Sequence, residues 1–307
     1  MSGIHLTFVE QGTFMGILAD IVITGLIIGG IYALIAVGLS LQYGVGRVLN
    51  VSHGEFILVG ALSAYSFHQV LHISPLLTIA IVMPVMFLIG YVLDQTLYNY
   101  LRRTSVNADA FSGRSLLTSF GLLFIVQNIM LLTWGAESKG YSYLNTSVSI
   151  FGSLYGINRL LALGVAVGVS GLFYVFIRST RLGKAIRAAA EDATIAQVMS
   201  VNVRQVLAIC FGLGTALAAL AGVLYSLMFE FQASKGMELT IIAILVVVFG
   251  GLGSITGSLI GGFLLGLVTS IVNSIDPSLS LVAFYLIFIL LLLFKPSGIL
   301  GRQIHAD

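Results

Sequence analysis

Residues 239–275 read LTIIAILVVVFGGLGSITGSLIGGFLLGLVTSIVNSI, about 37 residues without one charged side chain. At 1.5 Å per residue a single helix of this length would be a rod of about 55 Å. One membrane crossing needs only about 20 apolar residues. The stretch must therefore break, and Gly250, Gly251, Gly253 and Gly257 mark the place. It reads as two helices or half-helices around a glycine-rich turn. Broken helices at membrane depth are tolerated mainly where they are buried in protein or line a cavity. The break is thus a candidate pore element. The plainer alternative is packing, because G-x-x-x-G spacings such as 253–257 and 257–261 let helices approach closely.

The rest of the chain has the same character. Of its 307 residues, 58% are hydrophobic and 8% charged, where soluble domains carry about 25% charge. That much apolar surface cannot be hidden from water in a soluble fold, so the lipid bilayer is the expected solvent. Further spans are expected at Ile21–Gln42, Phe56–Leu71, Pro75–Leu93, Ser115–Trp134, Leu160–Ile177, Gln205–Phe229 and Leu279–Phe294, with Pro296 ending the last. The fold class is an all-α membrane protein, a polytopic bundle of about 8–9 transmembrane segments with a broken or re-entrant glycine-rich region. Residues 1–307 are expected to form one domain. Residues 1–20 hold no Lys or Arg, so no cleavable signal peptide is expected.

Orientation follows from the basic residues. Arg47, Arg102, Arg103, Arg114, Arg178, Arg181, Lys184, Arg187, Arg204, Lys295 and Arg302 fall on one side of this layout; only Lys139, Arg159 and Lys235 fall on the other. By the positive-inside rule the richer side is cytoplasmic. This predicts an outside N-terminus and a cytoplasmic C-terminus. Glycine-rich starts at 25–30 and 257–262 hint at an internal repeat. The single cysteine, Cys210, excludes an intramolecular disulfide, and a net charge of +2 suggests no nucleic-acid partner.

Three segments carry chemical information. The first, TRLGKAIRAAAEDATIAQVMSVNV at 180–203, is rich in helix-favouring alanine. Leu182, Ile186, Ala189 and Ala193 form an apolar stripe at helical spacing, and Arg181, Lys184, Arg187, Glu191 and Asp192 carry the charge. Such a helix can dock into a partner or lie on the membrane; the bland reading is a basic loop. The second, GVGRVLNVSHGEFILVGALSA at 44–64, sets Asn50, His53 and Glu55 at the start of a span. Ionisable groups there are functional candidates. The structural alternative is a capping box, since Ser52 and Glu55 have S-x-x-E spacing. No His or Cys lies at ligand spacing from His53, so no metal site is expected. The third is Gly236–Gly266, which contains the break. Tyr32, Gln127 and Asn128 are further candidates to line a passage, with Tyr43, Tyr65 and Asn273 also available.

These motifs resemble, in the same order, those of the permease subunits of branched-chain amino acid type bacterial ABC importers. Gly183 followed by Arg187-Ala188, Glu191-Asp192 and Ala196 is similar to the family's coupling loop, here about 179–203, which contacts the ATPase; Ser200 stands where the family usually has glycine. Asn50, His53, Gly54, Glu55 and Phe56 match an asparagine–x–alanine–histidine–glycine–glutamate–phenylalanine signature, with Ser52 for alanine. Glu238, the glycines at 250–257, Gly261 and Gly262 follow a pattern of the wider sugar and amino-acid permease superfamily.

The resemblance implies an inner-membrane complex with a second permease subunit forming a heterodimer, two ATPase subunits and a periplasmic binding protein. The implied cargo is leucine, isoleucine, valine or a related amino acid; urea or short amides are the alternative. It implies no catalytic residue and no cofactor on this chain, with ATP and magnesium on the partners. Consistent with that, no G-x-x-x-x-G-K-[ST] run occurs: Gly183-Lys184 is followed by Ala185. A self-sufficient channel or secondary transporter is the reading from another class. It would need coupling carboxylates near the midplane, whereas Asp20, Glu55, Asp94, Glu230, Glu238 and Asp276 are expected at span ends.

Overall fold

The computed structural model describes residues 3–150, 153–295 and 298–300. The chain begins with α1 (Gly3–Gly46), α2 (His53–Leu71) and α3 (Pro75–Leu93). A π-helical turn (Asp94–Tyr98) leads into α4 (Asn99–Thr104), followed by α5 (Ala108–Trp134). An antiparallel hairpin of β1 (Ser147–Ile150) and β2 (Ser153–Gly156) precedes α6 (Ile157–Ser179), α7 (Arg181–Glu191) and α8 (Ala193–Val198). The chain closes with α9 (Val203–Ser226), α10 (Gly236–Gly250), α11 (Ile255–Ile275) and α12 (Ser280–Phe294).

Among the described residues, six helices are long and apolar enough to cross a membrane: Gly16–Gly46, Pro75–Thr104, Ala108–Trp134, Ile157–Ser179, Val203–Ser226 and Ile255–Ile275. The helices α10 and α12 are apolar but shorter. The chain is a multi-pass all-α membrane protein. The small hairpin was not foreseen, and Pro296 lies outside the described residues. Large apolar side chains project outward from α3, α5 and α6, among them Leu77, Leu132 and Leu172. In lipid such faces need no cover, since the acyl chains are as apolar as the side chains.

The centre of the bundle is α9, packed on α1, α2 and α3. The break in the quoted stretch falls between α10 and α11. Gly251 and Gly253 have φ of 107° and 79°, a conformation that side chains with a β-carbon resist. The Ser254 hydroxyl then accepts the Gly257 N–H and caps α11. A β-carbon on Gly250 would overlap the Gly257 carbonyl, so the two helices cross there in backbone contact. The two glycine-rich starts face each other: Gly25 meets Leu267, Gly29 meets Phe263 and Gly262 meets Ala33. This order makes α1 and α11 antiparallel.

After α1 the chain does not leave the bundle. Arg47 takes φ 52°, and the backbone turns back along α1. The Asn50 amide reaches Gln42, and the His53 ring reaches the Ile35 carbonyl. Ile35 stands eleven residues before Gly46, so α2 starts about 16 Å back from the end of α1. The chain is re-entrant here, at 47–52, as well as broken at 251–254.

Candidate functional site

Non-helical backbone inside a bundle must find hydrogen bonds in protein. At 47–54 the side chains of Asn50, of Ser119 on α5 and of Thr240 on α10 supply them. Asn50 Oδ1 accepts the Ser52 N–H at 3.2 Å and the Ser52 hydroxyl at 2.6 Å, while its Nδ2 donates to Gln42 at 3.1 Å. The Ser119 hydroxyl accepts the Val51 N–H. Thr240 accepts the Gly54 N–H and donates to the Val51 carbonyl, both at 2.8 Å. His53 Nε2 donates to the Ile35 carbonyl at 3.0 Å. Asn50, Ser52, His53, Glu55 and Thr240 are fully buried. Asn50 and His53 therefore clasp the re-entrant turn to α1, and neither lines the cavity beside it.

The capping box is also corrected. Ser52 is the N-cap of α2 but makes no side-chain cap bond, because its hydroxyl is held by Asn50. Glu55 does not reach back to the helix start. Neither of its carboxyl oxygens has a hydrogen-bond partner among the described residues. It lies against Gly236, where a β-carbon would overlap the carboxyl group. The glutamate thus sits where the first turns of α2 and α10 touch, buried and away from the span-end position expected for it.

A cavity of about 250 Å³ opens beside this clasp, between α1, α2, α9, α10 and α11. Its apolar wall includes Ile31, Ile35, Leu58, Leu239 and Ile242. Tyr32 and Thr269 also line it; the Thr269 hydroxyl donates to the Leu265 carbonyl at 2.8 Å, and the Tyr32 ring meets Phe284 edge-on at 6.0 Å. Its mouth carries Glu230, Lys235 and Glu238. Of the expected pathway residues only Tyr32 lines this cavity. Gln127 donates to the Ser234 carbonyl instead, and the exposed Asn128 donates to Phe124 of its own helix. The break at 250–257 lies at the other end of α10 from the mouth, where Gly253 packs on Gly44. The mouth charges were expected only singly, Glu230 and Glu238 as span-end carboxylates and Lys235 as an outside charge, although the three fall close together between two apolar spans. Leu58 had none, being one aliphatic residue among many.

The charged segment forms two helices, broken at Asp192, whose carboxylate caps α8 by accepting the Thr194 and Ile195 N–H groups. The expected stripe turns inward in part: Ile186 and Ala189 are buried, while Ala193 is exposed. Gly183 is buried too, because its backbone presses on the Ile177 carbonyl. Arg187 donates to the Arg178 carbonyl and ties α7 to the end of α6. Gly183 is therefore a packing residue. Arg181, Lys184, Arg187, Ala188, Glu191 and Asp192 remain on the exposed side. Beside them α8 and its end expose Ile195 (63%), Val198 (80%) and Met199 (74%). This apolar knob lies beyond the expected stripe, which ended at Ala193, and was not foreseen.

Ser200 follows with φ 63°, the left-handed conformation that a glycine adopts freely. The turn after α8 keeps a glycine-like backbone even though serine occupies it. Ser200→Gly should leave stability within about 1 kcal/mol of wild type. Ser200→Val should lower the melting temperature in detergent, because a β-branched residue fits this conformation poorly.

Among the described residues no group of three or more His, Cys, Asp or Glu side chains is placed to hold a metal ion. A re-entrant segment, a broken helix pair and a small lined cavity within a multi-pass bundle are the architecture of a membrane permease, where irregular backbone borders the passage.

The chain belongs to the family described as the branched-chain amino acid transport system / permease component, whose model matches residues 21–293. It is 31% identical over 291 residues to the high-affinity branched-chain amino acid transport system permease protein BraD of Pseudomonas aeruginosa, covering 91% of this chain and 94% of that one. It is 28% identical over 290 residues to LivH of Escherichia coli, with the same coverage. Among solved structures it is similar to a chain of PsaBC from Streptococcus pneumoniae, with a TM-score of 0.50, 13% identity, and coverage of 95% of this chain and 96% of that one. That last likeness concerns the fold alone. The chain is a transport component and not an enzyme.

Proposed function

We propose that residues 1–307 form one permease domain of an ATP-driven importer of branched-chain or related hydrophobic amino acids in a bacterial inner membrane. A second permease subunit pairs with it. Two ATPase subunits bind ATP and magnesium, and a periplasmic binding protein delivers the cargo. The relatives named above are permeases of high-affinity branched-chain amino acid systems, which supports this cargo over urea or amides. The basic residues support a cytoplasmic C-terminus, an outside N-terminus and about nine crossings, with the shorter α2, α10 and α12 completing the set.

The observation that carries the coupling role is the platform α7–α8. It anchors inward through Gly183, Ile186 and Ala189, and outward it exposes three apolar residues beside Arg181, Lys184 and Arg187. An apolar knob with a charged rim is the pattern of a docking interface. The ATPase subunits dock here, and their closure is transmitted through α6 and α9, which flank the platform.

Val198→Asp should weaken docking by about 2 kcal/mol, roughly 30-fold, as loss of an interface hot spot does. ATP-driven uptake by the reconstituted complex should fall while insertion of the chain is unchanged. Uptake at the wild-type rate would remove α8 from the interface. Gly183→Leu is the poorer test, since it disrupts the α6–α7 turn itself. Substrate flux through this chain alone in liposomes, without any ATPase, would overturn the importer reading.

A further inference from the structure

The cavity has a charge pattern that its lining makes readable. Lys235 Nζ and Glu238 Oε2 stand 4.0 Å apart at the mouth, with side chains 53% and 68% exposed. An ion pair this long and this wet is worth little, so a ligand can replace it at small cost. The third charge, Glu230, already accepts a hydrogen bond from the Ser138 hydroxyl at 2.9 Å. Behind the mouth, the aliphatic wall contains Ile31, Ile35, Leu58 and Leu239, each at most 6% exposed. A volume of about 250 Å³ is below the roughly 300–1,000 Å³ of pockets for drug-sized ligands. It suits one small solute.

With Glu230 engaged by Ser138, the Lys235 ammonium and the Glu238 carboxylate at the rim of a mostly apolar box, whose wall also holds Tyr32, Tyr225 and Thr269, are the electrostatic complement of a free α-amino acid with an aliphatic side chain. The geometry points to Lys235 and Glu238 as the groups that receive the carboxylate and ammonium of the passing amino acid, with Leu58 setting the largest side chain that the box accepts. A neutral amide has neither full charge and gains nothing from this pair. The inference rests on the importer reading above and adds the residues that discriminate within it.

The test uses the full complex in liposomes, with saturating binding protein loaded with leucine, alanine or phenylalanine. Leu58→Trp should lower leucine uptake about tenfold and alanine uptake far less. The double variant Lys235→Gln, Glu238→Gln should lower both about tenfold and leave their ratio unchanged. Size-exclusion elution of each complex checks assembly. If Leu58→Trp fails to assemble, Leu58→Ala serves instead and should raise phenylalanine uptake relative to leucine. An unchanged selectivity in the assembled Leu58 variant, or full-rate uptake by the double variant, overturns the inference while leaving the importer reading intact. Absence of any ATP-driven amino acid uptake by the wild-type complex would instead overturn the importer reading itself.

Discussion

Gly222→Val is expected to yield almost no folded protein after detergent extraction. Gly222 is the point where α9 touches α2, and a β-carbon there would overlap the Ile57 carbonyl and approach the Ala61 N–H. Three paces along α9, Ala219 is in turn pressed by Gly60. The obstacle is backbone, so no rotamer change relieves it. Overpacking a core typically costs 1–3 kcal/mol and more when main chain must move, against a total stability of about 5–15 kcal/mol. Displacing α2 also pulls on the clasp of Asn50, Ser119 and Thr240, which leaves buried backbone groups unpaired at about 1–3 kcal/mol each. The matched control is Gly168→Val on α6, where nothing lies within 4 Å of a new β-carbon. It should extract and melt like wild type. Size-exclusion profiles and melting curves of the two variants decide the matter. A Gly222→Val melting temperature within a degree or two of wild type would mean that α2 and α9 do not meet in this way.

The second large effect is expected at Asp94. This carboxylate is fully buried in the π-helical turn and accepts hydrogen bonds from both terminal guanidinium nitrogens of Arg102, Nη2 at 2.6 Å and Nη1 at 3.2 Å. The guanidinium also lies over the Phe111 ring, 5.5 Å from its centroid, so the pair joins the α3–α4 turn to α5. Removing one partner of a buried pair leaves an uncompensated charge, typically at 3–5 kcal/mol. Asp94→Ala should cost about that much. Arg102 is 20% exposed on its side chain, which lets some water reach the orphaned charge and places the loss toward the lower end. The double variant Asp94→Leu, Arg102→Met should recover most of the stability, since apolar replacement of a whole buried pair is often neutral. A double variant as unstable as the single would show that packing around the turn, and not charge, is what Asp94 provides.

Both sites explain how far the chain was readable. The bundle class was legible because its cause is local and additive: long uncharged runs have no other solvent than lipid. The break at 250–257 was legible for the same reason, since a helix of that length has no membrane to fill. The second irregularity, at 47–52, was not. Its polar residues look like a helix start with a capping box, and only the return of the chain along α1 shows that Asn50 serves Gln42 and Ser52. Glu55 was set at a span end because charge near a helix start ordinarily means an interface, yet tertiary packing carries it inside. Gln127 and Asn128 look like passage residues by polarity alone, but the rotation of α5 turns them to the Ser234 carbonyl and to their own helix.

The sequence by itself determined that this is an all-α membrane protein of the branched-chain permease type, with a break in its longest apolar stretch and a charged, helix-favouring segment at 180–203. These follow from composition, run length and motif order, which need no neighbour. Only the tertiary structure decided which side of that segment faces outward, that Ile195, Val198 and Met199 form its apolar knob, and that Tyr32, Leu58, Lys235 and Glu238 share one cavity. The physical reason is that a cavity and a clasp are made by residues far apart in the chain. Their proximity depends on glycine contacts between helices, and it is those contacts, at Gly222, Gly29 and Gly262, that set where each side chain points.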